Sequence, residues 1–166
     1  MINTEIERKF LIAMPDMDVL RAQPGFGSSH IVQTYLVNPD GFTERVRMRE
    51  YADRTVYYHT LKKRLSAASA YEDESEIDTT EYTSLLRRAD TAKTPINKMR
   101  CTIPFKGHVC EIDIYPFWRK QAVLEIELSG EDEAYSIPSC IRVIREVTGN
   151  HAYSNNALSL VVPDED

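Results

Sequence analysis

The chain is poor in the residues that mark many common chemistries. Three cysteines stand far apart at 101, 110 and 140. An odd, unclustered set argues against a disulfide framework or a thiolate zinc site and fits a reducing cytoplasm. The four histidines, His30, His59, His108 and His151, are equally scattered, and each reads as structural or exposed rather than catalytic. No glycine-rich phosphate loop of the Walker or dinucleotide type occurs. No apolar run approaches the roughly 20 residues of a membrane helix, and the first residues lack the charged-then-apolar layout of a secretory signal. A net charge of −6 gives no general support for nucleic-acid or membrane binding. An anionic substrate would need a local cationic site. No solenoid-length repeat is visible, and 166 residues with no long linker are expected to form a single domain over 1–166.

What the chain does have is period-two charge. Strands are expected at 4–12, 30–38, 42–51, 54–64, 71–78, 96–105, 108–117 and 122–130, about eight in all. A short helix is expected within 14–27, capped by Asp16 and ended by Pro24-Gly25. A second spans 79–90, capped by Thr79 or Thr80. The tail suggests two short helices broken at Gly149, with Asn155 capping a helix or closing one end of a barrel. The small-residue stretch 66–70 reads as a mobile linker.

Successive strand residues face opposite sides. Glu5, Glu7 and Lys9 therefore share a face. So do Arg45, Arg47 and Arg49; Thr60 and Lys62; Glu72, Glu74 and Glu76; Lys98 and Arg100; Glu111 and Asp113; Glu125 and Glu127. The alternate faces are mostly apolar. A sheet with one solvated face is the simplest arrangement of this kind. It accounts for the set poorly, because the charges segregate by strand. A barrel with charged faces inward and apolar faces outward, against helices, is the other solution. Like charges inside a barrel repel unless something opposite binds between them. Carboxylates call for metal ions, and guanidinium and ammonium groups for phosphates. Oxygen-only ligands favour Mg²⁺ or Mn²⁺ over zinc. Together these describe a site for a metal–polyphosphate complex, where phosphoryl transfer needs charge neutralisation, alignment and an activated water.

The stretches "EIERK" (5–9), "QTYL" (33–36), "RVRMR" (45–49), "TLK" (60–62), "EDESEI" (72–77), "KMR" (98–100), "GHVCEIDIY" (107–115), "LEIEL" (124–128) and "EVTGNHAYSNNAL" (146–158) run along nearly the whole chain. Together they resemble the CYTH superfamily, the triphosphate tunnel metalloenzymes, small bacterial type. The resemblance implies an α+β, mainly β fold: a closed eight-stranded antiparallel barrel with peripheral helices, forming a tunnel open at both ends. By motif it implies Glu5, Glu7, Glu125, Glu127 and Asp113 as metal ligands, Asp113 orienting either a cation or a second metal. Lys9, Arg45, Arg47, Lys62, Lys98 and Arg100 would grip phosphate. Glu72, Glu74 and Glu76 would serve the attacking water, with Lys9 also at the reacting centre and Tyr35 on the wall. Arg49 is expected past the tunnel edge, and Glu111 reads as a solvated acid near a turn. The chain departs from the small bacterial pattern at Ala70, where an arginine is usual and Lys63 or Arg64 could substitute. Cys101 replaces an aromatic, and residues 115–120 are bulkier than the usual turn.

The implied activity is metal-dependent hydrolysis of a small triphosphate, inorganic tripolyphosphate first, in the cytoplasm, with no nucleic-acid or membrane partner and with room for a homodimer. Class IV-type adenylate cyclase, thiamine triphosphatase and other nucleoside triphosphatases are the alternatives within the family. A non-catalytic polyphosphate- or nucleotide-binding module is the alternative from another class.

Overall fold

The computed structural model describes residues 2–166. Nine antiparallel strands form one sheet: β1 (Ile2–Ala13), β2 (Gly27–Leu36), β3 (Thr43–Glu50), β4 (Thr55–Arg64), β5 (Ser69–Ile77), β6 (Ile96–Phe105), β7 (His108–Ile114), β8 (Gln121–Leu128) and β9 (Val143–Glu146). Their order is β5-β4-β3-β2-β6-β7-β8-β1-β9, and β5 also pairs with β1. That last pairing closes an eight-stranded barrel. β1 makes the closure because it is long. Its first half pairs with β5 (Ile2↔Asp73 to Ile6↔Ser69). Its second half pairs on the same side with β9 (Phe10↔Glu146), while β8 runs along the other side.

Helix α1 (Met17–Arg21) is capped by Asp16, whose carboxylate accepts from the Asp18 amide at 2.9 Å. Helix α2 (Thr79–Leu85) is capped by Asp78, one residue before the expected threonines; Asp78 accepts from the Glu81 amide at 2.8 Å. The tail departs from expectation. Its first element is not a helix but strand β9. Beyond Gly149 come a 3₁₀ turn (His151–Tyr153) and helix α3 (Asn155–Leu158), capped by Ser154 rather than Asn155. Residues 65–69 form a hydrogen-bonded hairpin turn (Leu65 N to Ser69 O, 3.0 Å), tied further by Ser66 Oγ accepting from Ser69 N at 3.0 Å. They are not a loose linker. The tail crosses this turn at Gly149, where φ is +76° and an added Cβ would stand 2.8 Å from Ala67 Cβ. Only glycine tolerates both conditions.

The hydrophobic core lies mainly on the outside of the barrel wall. Phe10, Ile12, Cys101, Ile103, Cys110, Ile112, Leu124, Ile126 and Leu128 face outward and are buried. Their cover is Leu20 of α1 and the extended segment that carries Tyr135, Ile137, Cys140 and Ile141, so coil supplies much of the packing expected of helices. Cys101 belongs to this outer layer and is fully buried; replacing the usual aromatic there alters packing, not the barrel interior. A second buried cluster uses inward residues at one end of the barrel: Leu11, Tyr35, Ile96 and Val123, with Tyr115, Trp118, Val147, Tyr153 and Leu158 laid over them. Trp118 packs edge-on against Tyr115 and donates its indole N–H to the Pro163 carbonyl at 3.0 Å. The bulky 115–120 segment therefore helps fill this end of the barrel, together with the tail.

Candidate active site

The antiparallel register aligns the inward faces around the barrel. Glu7 lies opposite Glu127, and Lys9 opposite Glu125. Glu125 in turn lies opposite Glu111, and Arg100 opposite Asp113. On the far wall Arg45 lies opposite Thr60, Thr60 opposite Glu74, and Lys62 opposite Glu72. The result is one cavity of about 460 Å³. It is bordered by Glu5, Glu7, Lys9, Tyr35, Arg45, Arg47, Lys62, Glu72, Glu74, Lys98, Arg100, Glu125 and Glu127.

Two of the expected site residues stand elsewhere. Glu76 is exposed and outside the cavity wall, because β5 carries it past the barrel rim. Asp113 is fully buried on the inward face of β7 but does not border the cavity. Its carboxylate accepts from Lys98 Nζ at 2.7 Å, Arg100 Nε at 2.7 Å and Arg100 Nη2 at 2.8 Å. Both of its oxygens are engaged by these cations. In the other direction, Glu111 and Arg49 join the cavity. Glu111 accepts from Arg100 Nη1 at 2.6 Å, and Arg49 donates to Ser29 Oγ at 2.9 Å. Glu111 shares the Asp113 face, and only its register with Glu125 reveals that it points inward. Lys63 and Arg64 border the cavity too, beside the position that Ala70 leaves without a cation. The tail contributes His151, Asn155 and Asn156; Asn155 accepts from the Tyr115 hydroxyl at 2.6 Å.

The cations and carboxylates restrain one another. Lys9 sits 3.2 Å from Glu125 and 3.7 Å from Glu7. Lys62 pairs with Glu5 and lies 3.8 Å from Glu72. Arg47 reaches Glu74 at 3.3 Å, and Thr60 donates to the same carboxylate at 2.8 Å. Burial would raise the Glu125 carboxyl, but Lys9 and Arg100 hold it well below the usual range. Burial also opposes ionisation of Glu5, which Lys62 overcomes. Glu7 has less compensation: burial and then the Glu125 charge push it up to about 7. Glu72 is raised by burial and by Glu5, and Glu127 by burial and by Glu5 and Glu111. Burial draws the Lys98 ammonium down to about 8 despite Asp113.

Among the described residues, no three His, Cys, Asp or Glu groups are already gathered as a metal cage. The carboxylates are turned onto lysine and arginine instead. The donor set nevertheless fits a hard divalent cation. Glu5, Glu7, Glu125 and Glu127 offer oxygen only. Glu7 and Glu127 remain under-compensated, and a buried Glu72 oxygen has no hydrogen-bond partner among the described residues. A dication would relieve that repulsion.

No family model matches the chain. An inorganic triphosphatase from Nitrosomonas europaea is 32% identical over 162 residues, covering 96% of this chain and 99% of the relative. The crystal structure of the inorganic triphosphatase NE1496 superposes with a TM-score of 0.58 at 29% identity, over 96% of this chain and 100% of that one. HpAC1 from Hippeastrum, described as having a dominant triphosphatase activity, matches with a TM-score of 0.51 at 18% identity, over 75% of this chain and 80% of that one. At that identity the likeness speaks to the fold alone. Identity along nearly the whole length of both chains, on a barrel with a charged interior, shows that this chain belongs to the CYTH superfamily of triphosphate tunnel metalloenzymes.

Proposed function

We propose that the protein hydrolyses a triphosphate, inorganic tripolyphosphate first, to orthophosphate and pyrophosphate, with Mg²⁺ or Mn²⁺. One observation carries this reading: a single cavity lined on one side by Glu5, Glu7, Glu125 and Glu127 and crossed by Arg45, Arg47, Lys62, Lys98 and Arg100. Such a cavity matches a polyanion carrying a cation, and little else. The likeness to the Nitrosomonas inorganic triphosphatase supports the same reaction.

The four glutamates are the residues to hold the cation. When bound, it would withdraw charge from the phosphoryl oxygens and lower the pKa of an attacking water. Arg45, Arg47, Lys62, Lys98 and Arg100 hold the phosphate chain, and Asp113 keeps Lys98 and Arg100 aimed. Attack by a water oxygen on a terminal phosphorus breaks the anhydride bond to the neighbouring phosphate. The proton passes to Glu72, which burial and the Glu5 charge make a stronger proton acceptor than an ordinary carboxylate. Glu74 is steadied beside it by Arg47 and Thr60. Lys9 meets the leaving oxygen, and burial does not deprotonate it, because Glu125 and Glu7 keep it charged. Tyr35 closes the wall beside Arg45.

Phosphate release from tripolyphosphate, ATP and thiamine triphosphate, with cyclic AMP assayed in parallel, tests the reading. Tripolyphosphate should give the highest kcat/KM. Cyclic AMP from ATP with no phosphate from tripolyphosphate would replace the hydrolase by a cyclase. Metal-dependent binding without turnover would replace it by a binding module.

A further inference from the structure

Gln33 is an uncharged residue in the middle of a charged wall. It is fully buried, on the inward face of β2. The register sets it opposite Arg47 on β3 and opposite Ile96 on β6, one inward step from Lys98. Its amide nitrogen donates to the Tyr35 hydroxyl at 3.3 Å. Its carbonyl oxygen is buried and has no hydrogen-bond partner among the described residues. An unsatisfied buried polar group costs free energy and calls for a partner.

A half-turn of the amide exchanges its two ends without moving any other group. A phenol both donates and accepts, so Tyr35 can hold the carbonyl as readily as the amine, and which end faces Tyr35 is an assignment from the hydrogen-bond network. The free end then presents N–H to the cavity. A fully ionised tripolyphosphate offers acceptors only. A lysine at this position would repel Arg47 and Lys98, and a glutamate would repel the substrate. A neutral donor adds a contact at neither cost. Resting on the triphosphatase reading, we infer that Gln33 is a substrate-contacting residue: its amide donates to a phosphoryl oxygen while the Tyr35 hydroxyl holds the other end.

The test compares Gln33→Met, which keeps the shape and removes the hydrogen bonds, with Gln33→Glu. Tripolyphosphate hydrolysis is measured with Mg²⁺, tripolyphosphate binding to metal-free protein by calorimetry, and thermal melting in parallel. Gln33→Met should raise KM about tenfold, with kcat within about threefold. Gln33→Glu should raise KM about a hundredfold, more at pH 8 than at pH 6. A packing role alone would lower the melting temperature and leave KM and binding within twofold, and that result overturns the inference. Should neither variant fold, NMR on the wild type decides: a shift of the Gln33 side-chain NH₂ resonances on adding tripolyphosphate supports the contact, and unmoved resonances overturn it. A wild-type protein that neither binds nor cleaves tripolyphosphate removes the triphosphatase reading and this inference together, an outcome distinct from the others.

Discussion

Lys98 and Asp113 form an ion pair 2.7 Å apart, with side chains 1% and 0% exposed. The pair also restrains Arg100, which shares the same carboxylate. Removing the charge strands two buried cations. Asp113→Asn should therefore cost roughly 3–5 kcal/mol of stability in urea unfolding. A metal ligand would behave differently, leaving metal-free stability unchanged and lowering only metal affinity. Unfolding the variant with a chelator present separates the two roles.

Glu5→Gln and Glu127→Gln keep volume and lose charge on the carboxylate side of the cavity. Loss of metal-assisted charge stabilisation worth several kcal/mol should lower tripolyphosphate turnover by about a hundredfold or more. Wild-type rates in Glu5→Gln would refute its assignment to the metal.

Arg45→Ala should act on binding. Arg45 is half-buried on the cavity wall, and its Nε has no hydrogen-bond partner among the described residues, so it is placed to meet an incoming phosphate. A hydrogen bond to a charged group is worth about 1.5–3 kcal/mol. KM should therefore rise roughly ten- to a hundredfold, with a smaller change in kcat.

The metal-free protein should lose stability as pH rises from 5 to 7.5. Burial and Glu125 lift Glu7 from an ordinary 4.5 to about 7. The folded state thus keeps a proton that the unfolded chain releases near pH 4.5. That contribution is fully present below pH 4.5 and is lost as pH passes through 7. Lys98, drawn down to about 8, acts with the opposite sign and at higher pH, between 8 and 10.5. Calorimetric melting across pH 5–7.5 with a chelator should show the decline. Mg²⁺ should reverse it, and Glu7→Gln should flatten it.

Glu76→Ala should leave turnover within about twofold of wild type, because the side chain is exposed beyond the rim. A hundredfold loss would return it to the site.

The strands and their inward faces were legible because charge at a period of two, repeated on one strand after another, belongs to a sheet that turns all its charge to one side. Glu5, Glu7, Glu125 and Glu127 followed directly from it. Periodicity says which face a residue takes but not how far along the barrel it lies. Glu76 and Asp113 share faces with cavity residues, yet one lies past the rim and the other is locked behind cations. Glu111 was missed for the same reason, since its position depends on pairing with Glu125, more than ten residues away in sequence. The tail misled in another way. Ile141, Ile144 and Val147 repeat every three residues, as in a helix. Pairing with the free half of β1 overrides that local preference and makes β9 a strand. The alternation on β2 places Gln33 on one face with Tyr35, but an uncharged amide gives no sign of a role there, and only burial with an unmatched carbonyl sets it apart.

Because the greasy packing lies largely on the outer surface of the wall, folding and chemistry draw on different residues. Leu124 and Ile126 secure the barrel from outside, while Glu125 and Glu127, their neighbours in sequence, face the chemistry. Apart from the Lys98–Asp113–Arg100 anchor and the inward apolar cluster around Leu11, Tyr35, Ile96 and Val123, a barrel built this way can exchange inner side chains one at a time without dismantling its scaffold.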